Sequence, residues 1–301
     1  MELRALFGPD PWAGTGLEPP VGDVRCLVSR RALDPGRSPF LKYRLAVEFT
    51  AATLEELAEQ AAALELGDGV STFKVRYVEA VRGAADYAEQ RAIERAVGAR
   101  VRGTADMRAP ELLLGVARLG SRWVLGGCAE SGAAWLAHQH KPRQYSTALS
   151  TRVARAVANI AVPEPAGVRA VDPCCGIGTV LVEALSMGID IVGYDINPLA
   201  VTGARANLAH FGMEAPVAIA DMRGLDGRYD AAVLDMPYNL CSVLPPDEQA
   251  EMLASLRRLA GRAVIVTAEP IDEAIGAAGF TVADRCDVRK GRFVRQIILC
   301  T

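Results

Sequence analysis

Short β-branched runs alternate with helix-length stretches through the second half of this chain, and that alternation leaves few folds open. Runs at 168–171, 190–194, 217–220, 230–234 and 262–267 read as strands, with helical stretches at 178–187, from 198 to Gly212, and near 247–260 and 271–278. Asn197 is placed to cap the second of these helices and Pro198 to open it, while Gly188 and Gly212 mark helix ends. Buried strands joined by helices call for a parallel sheet covered on both faces. The tail differs. Residues 280–288, a turn at Lys290-Gly291 and residues 293–299 read as an antiparallel hairpin.

The first half is a separate unit in this reading. It runs strand (43–49), helix (53–64), strand (72–79), helix (84–97), then two strands near 111–117 and 122–128. Thr53 and Glu56 have the spacing of a capping box. Residues 5–40, rich in Pro and Gly, show no periodicity. The division expected is an α+β region over 1–135 and an α/β region over 136–301.

Two motifs carry chemistry. The first is Asp172-Pro173-Cys174-Cys175-Gly176-Ile177-Gly178-Thr179, a glycine turn between a strand and a helix. At such a turn an α/β sheet holds a nucleoside-bearing cofactor, and helix-terminal N–H groups face its anionic end. Position 181 is Leu, so the dinucleotide fingerprint with a third glycine fails. The next strand ends in Asp195-Ile196, where a carboxylate can accept the ribose hydroxyls. The following one ends in Asp221-Met222, where Asp221 can accept from an adenine amino group and Met222 can cover the ring. A turn or cap aspartate is the bland alternative at 221.

The second motif, Asp235-Met236-Pro237-Tyr238, follows the fourth strand. It joins a carboxylate, a constrained backbone and an aromatic face, a set suited to an exocyclic amine on a flat base. Together the motifs imply methyl transfer from S-adenosylmethionine to a base nitrogen. A parallel sheet finished by an edge hairpin is also the class I methyltransferase (Rossmann-like) arrangement, whereas an NAD-binding fold continues with another crossover.

Composition sets the remaining bounds. The chain has 301 residues, a net charge of −3 and seven cysteines, none at zinc-site spacing, so no metal is expected and free thiols in a reducing cytoplasm are. No apolar run approaches the roughly 20 residues of a membrane span, and Met1-Glu2-Leu3-Arg4 does not open a signal peptide. Between Glu130 and Glu164 there is no acidic residue, and Lys141, Arg143, Arg152 and Arg155 fall there. Such a strip can bind phosphate on an acidic protein; an ordinary solvated linker would read the same way. The basic residues of the terminal hairpin, Arg295 among them, read as a solvated edge that discourages strand pairing, with a second phosphate contact as the alternative.

On these motifs the chain resembles the THUMP-domain tRNA guanine-N2 methyltransferases of the guanosine-10 type, most closely a bacterial branch. Thr72-Phe73-Lys74-Val75-Arg76 is similar to the core strand of a THUMP domain, and Ile93-Glu94-Arg95-Ala96-Val97-Gly98 to its following helix. The stretch from Lys141-Pro142-Arg143-Gln144-Tyr145-Ser146 to Asn159 is similar to the segment preceding the family's cofactor strand. The resemblance implies tRNA as partner, S-adenosylmethionine as cofactor, Asp235 to Tyr238 as the catalytic tetrapeptide, and Tyr145 to Ser150 as a hold on the methionine end. The family tetrapeptide is usually Asp-Pro-Pro-Tyr; Met236 departs from it. Two other readings remain open: an adenine-N6 or cytosine-N4 methyltransferase acting on DNA or rRNA, and a non-catalytic RNA-binding scaffold. The oligomeric state is not legible.

Overall fold

The first residues form a short helix, α1 (Glu2–Phe7), and it belongs to the C-terminal half of the protein. The structure, a computed structural model, describes residues 1–237, 244–291 and 293–301, with Lys290 described by its backbone alone. The chain divides into two units, 9–132 and 1–8 together with 133–301. The division expected at 135/136 is therefore corrected for residues 1–8. Leu6 is fully buried, Glu2 accepts a hydrogen bond from Asn159 at 2.6 Å, and Arg4 pairs with Asp284 at 2.9 Å. Six residues are too few to hold a helix in water, so this packing is what makes α1.

Residues 9–132 build a five-stranded mixed sheet under two helices. The elements are β1 (Tyr43–Ala51), α2 (Leu54–Gln60), β2 (Thr72–Tyr77), α3 (Tyr87–Gly98), β3 (Thr104–Ala105), β4 (Leu112–Leu119) and β5 (Arg122–Glu130), in the order β1-β5-β4-β2-β3. Alternation along β2 buries Phe73, Val75 and Tyr77 beneath Leu57, Ile93 and Val97. Helix α3 starts three residues later than its periodicity suggests. Asp86 and Glu89 form a reciprocal capping box there and fix the start. The two-residue β3 has no periodicity to betray it.

The remaining unit is a seven-stranded sheet flanked by helices. Its elements are α4 (Thr151–Ala161), β6 (Arg169–Asp172), α5 (Thr179–Ser186), β7 (Asp190–Asp195), α6 (Pro198–His210), β8 (Val217–Ile219), β9 (Ala231–Asp235), α7 (Pro246–Leu259), β10 (Ala263–Thr267), α8 (Asp272–Ala277), β11 (Val282–Lys290) and β12 (Phe293–Cys300). The strand order is β11-β12-β10-β9-β6-β7-β8. Strands β6 to β10 pair in parallel, and β12 enters antiparallel between β10 and β11. This is the class I methyltransferase topology. The central strands are apolar on both faces, Ala231 to Leu234 and Ala263 to Val266 being buried throughout, as a doubly covered parallel sheet demands. The chain leaves β6 toward β7 on one side, while β9 lies on the other, so a crevice opens at the carboxyl ends of β6 and β9.

Candidate active site

Carboxylates stand at the ends of four strands. Asp172 closes β6, Asp195 closes β7, Asp221 follows β8 and Asp235 closes β9. Gly176 and Gly178 both take left-handed backbone, with φ of 54° and 75°, so the turn after β6 bends tightly into α5. Space next to Gly176 is open: a Cβ built there meets nothing within 4 Å. The N–H of Gly176 donates to Oδ2 of Asp195 at 2.8 Å, and the N–H of Asn197 donates to Oδ1 at 2.8 Å. Asn197 in turn caps α6 through Leu199. Beside these groups in the chain, Ile196 and Leu199 are exposed apolar side chains, 66% and 81% accessible.

Asp172 is buried. Desolvation, reinforced by Asp235 and Asp195, holds its carboxyl well above the usual range against one hydrogen bond from the Cys174 N–H. The Cys174 and Cys175 thiols are likewise pushed far up by burial. Neither is a thiolate nucleophile; they are small residues lining the turn.

Asp235 is half-buried, and its Oδ1 is a buried oxygen with no hydrogen-bond partner among the described residues. Burial raises its carboxyl to about 7, with Arg295 pulling it down. Met236 behind it is 3% exposed and packs in the core with Leu234 and Met252. Its N–H donates to the Val266 carbonyl at 2.9 Å, a bond a proline could not make. Methionine thus extends the β9–β10 ladder one step, and its carbonyl is free of that bond. Pro237 is exposed. Tyr238 lies outside the described residues.

Three expectations change at the site. Met222 is buried with the Cys174 sulfur against its own at 3.6 Å, so it offers no open face for a ring. Asp221 is engaged by Arg223 at 2.7 Å and caps a 3₁₀ turn; that guanidinium holds its carboxyl low. The basic strip is not a strip. Lys141 is buried, and burial lowers its ammonium pKa. Arg155 is 4% exposed and donates to Glu183 and Ser186, each at 2.8 Å. Arg143 and Arg152 are exposed, Arg152 lying over the Trp135 ring.

Sequence reasoning missed the residues that hold these pieces in place. Fully buried Glu183 on α5 joins Arg155 of α4 to His138, whose Nδ1 is 2.7 Å from Oε1. Fully buried Asn207 on α6 accepts from the Arg143 N–H and donates to the carbonyls of Arg143 and Ile177. That fastens the 141–145 segment to the glycine turn. Ser150 caps α4 through the Val153 N–H, and Tyr145 is exposed. The available signal was a polar residue on an apolar helix face, which periodicity alone does not interpret.

Residues 138–271 match the UPF0020 family model, described as an RMKL-like methyltransferase domain. This unit is a methyltransferase domain. A tRNA (guanine(10)-N2)-dimethyltransferase from Methanothermobacter thermautotrophicus is 28% identical over 88% of the chain and 86% of its own length. Another bearing that name, from Pyrococcus abyssi, is 33% identical over 36% of the chain and 33% of its own. The crystal structure of TrmN from Thermus thermophilus aligns with a TM-score of 0.48 at 19% identity, covering 87% of this chain and 83% of that one. The methyl donor of a class I methyltransferase is S-adenosylmethionine, and the residues present fit it. The open side of Gly176 and the hydroxyl of buried Thr179, unpartnered among the described residues, lie along one turn, and the carboxylate of Asp195 is tied to it.

Proposed function

We propose that this methyltransferase acts on tRNA, at the exocyclic N2 amine of a guanosine of the position-10 type, in the cytoplasm. The single observation that carries the reading is Asp235 Oδ1, a buried acceptor left unpaired among the described residues, beside the cofactor turn. A buried acceptor costs stability unless a donor reaches it, and an amine N–H is such a donor. The choice of tRNA rests on the similarity to the guanine(10)-N2 dimethyltransferases, which runs through both units of the chain. Residues 9–132 serve in this reading as the THUMP-like RNA-binding module of a bacterial branch, with Arg143 and Arg152 as phosphate contacts.

Bound S-adenosylmethionine supplies the electrophilic methyl. The rest falls to the protein. An aromatic exocyclic amine is a weak nucleophile because its lone pair is shared with the ring. Asp235 Oδ1 accepting from one N–H, and the Met236 carbonyl from the other, draw the nitrogen toward tetrahedral geometry. Pro237 fixes the backbone between the acceptors and the base. Ionised Asp235 can then take the proton the amine sheds. Most of the rate gain comes from holding the amine in line and excluding water. Among the described residues no group of side chains could hold a metal ion, and no helix is long and apolar enough to cross a membrane.

Nucleoside mass spectrometry of tRNA from cells lacking the protein tests the reading. N2-methylguanosine or its dimethyl form should disappear and return with the native gene but not with Asp235→Ala. Loss of N6-methyladenosine or N4-methylcytidine instead would assign the same acceptors to another base.

A further inference from the structure

Arg295, read in the sequence as part of a solvated edge, is not at the surface: its side chain is 12% exposed. Strand β12 carries it past the carboxyl end of β10, since Thr267 pairs with Gln296, and there it faces the end of β9. One arm of the guanidinium, Nη1, stands 4.0 Å from Oδ2 of Asp235. The other, Nη2, donates to the Thr147 carbonyl at 2.6 Å. The ring of Phe293 lies 5.3 Å beneath its plane. We propose that Arg295 is a positioning residue for methyl transfer: anchored on Thr147, it attracts Oδ2 of Asp235 and so leaves Oδ1 as the atom presented to the acceptor amine. The proposal rests on Asp235 being the amine acceptor, whichever base bears the amine.

Three observations support it. The two oxygens of Asp235 have different surroundings, Oδ2 toward a cation and Oδ1 buried without a partner among the described residues. Two other ionisable groups near Asp235, Asp172 at the end of β6 and the Cys174 thiol, are acidic and give its carboxylate no positive partner. Burial raises the Asp235 carboxyl, and Arg295 is the neighbour that acts against that rise. Finally, the bridge needs two separate donor arms. A guanidinium has them; an ammonium is a single point charge. Thr147, the anchor, belongs to the 145–150 segment. Arg295 thereby ties that segment to the acceptor carboxylate.

The test begins without cofactor or tRNA. Full-length protein labelled with 13C at the aspartate carboxyls is titrated by NMR, and Asp235 is assigned by its loss in Asp235→Asn. Arg295→Met should raise the Asp235 midpoint by about one pH unit, and Arg295→Lys by less. Turnover on bulk tRNA should fall at least tenfold at pH 7 in Arg295→Met, with KM for S-adenosylmethionine within about twofold, and recover as pH rises; Arg295→Lys should remain impaired. An Asp235 midpoint unmoved in a folded Arg295→Met or Arg295→Lys protein overturns the proposal. So does equal turnover of native and lysine variants across the pH range. If the titration shifts but tRNA gains no N2-methylguanosine, the base assignment fails and the role of Arg295 stands.

Discussion

The N–H of Gly176 donates to Oδ2 of Asp195 at 2.8 Å, so the glycine turn leaving β6 is fastened to the end of the neighbouring strand. The same carboxylate receives Asn197, where α6 begins. Asp195 therefore shapes both walls of the crevice before any ligand arrives. Replacing it with alanine removes two charge-assisted bonds at a partly exposed site. The expected cost is about 1–2 kcal/mol of stability, with affinity for S-adenosylmethionine at least tenfold weaker. Urea unfolding and isothermal calorimetry measure the two effects separately.

The two glycines of the turn should fail in different ways. A Cβ at Gly178 comes within 3.0 Å of the Ala204 Cβ and must also adopt left-handed backbone. Gly178→Ala should lower stability by about 2–3 kcal/mol, seen as a lower Tm in the ligand-free protein. At Gly176 the same methyl meets nothing. Gly176→Ala should cost only about 1 kcal/mol from the backbone, yet weaken cofactor binding more than Gly178→Ala does.

Glu183 is fully buried between Arg155 and His138. Its removal leaves a guanidinium buried without its carboxylate. Glu183→Ala should destabilise the protein by about 3–5 kcal/mol, whereas the apolar triple variant His138→Leu, Arg155→Met, Glu183→Leu should lie within about 2 kcal/mol of native. Equal losses in the two proteins would show that packing volume, not buried charge, dominates here.

Asp235 links the site to pH. Its carboxyl is raised from an ordinary value of 3.8 to about 7, so between these values the folded protein binds a proton that the unfolded chain does not. That contribution to stability is complete below pH 3.8 and is lost as pH rises through 7. Asp235→Asn escapes the loss. The variant should gain on native protein by about 1–3 kcal/mol between pH 4 and pH 8 and level off above, while methyl transfer is abolished. Unfolding curves at four pH values check the sign.

Much of the methyltransferase unit was legible because its strands are buried on both faces and its helices are punctuated. Asn197, Pro198, Gly188 and Gly212 do in the structure what their chemistry suggests. The terminal hairpin is also legible from pattern alone. The basic strip misled because sequence shows charge without depth: Lys141 and Arg155 look like Arg143 and Arg152 until α4 and α5 are packed together. Arg295 misled in the same direction. Its partners, Asp235 and Thr147, lie 60 and 148 residues away, and no local period reports such a pairing. Met236 looked like a weakened copy of proline, whereas the structure shows an added backbone bond and a filled core position.

Helix α1 has a consequence for the order in which this protein can be made. It is synthesised well before its partners Asn159 and Asp284, which lie 157 and 280 residues downstream of the residues they hold. At ordinary rates of synthesis that is a wait of roughly 10–30 s for the first and longer for the second. Throughout it, Leu6 has nothing to cover it. Residues 9–132 complete their own sheet within that interval, while the catalytic unit stays open until its last strands arrive. A chain ending at residue 150 would therefore hold a finished N-terminal sheet and a leading peptide still without its dock.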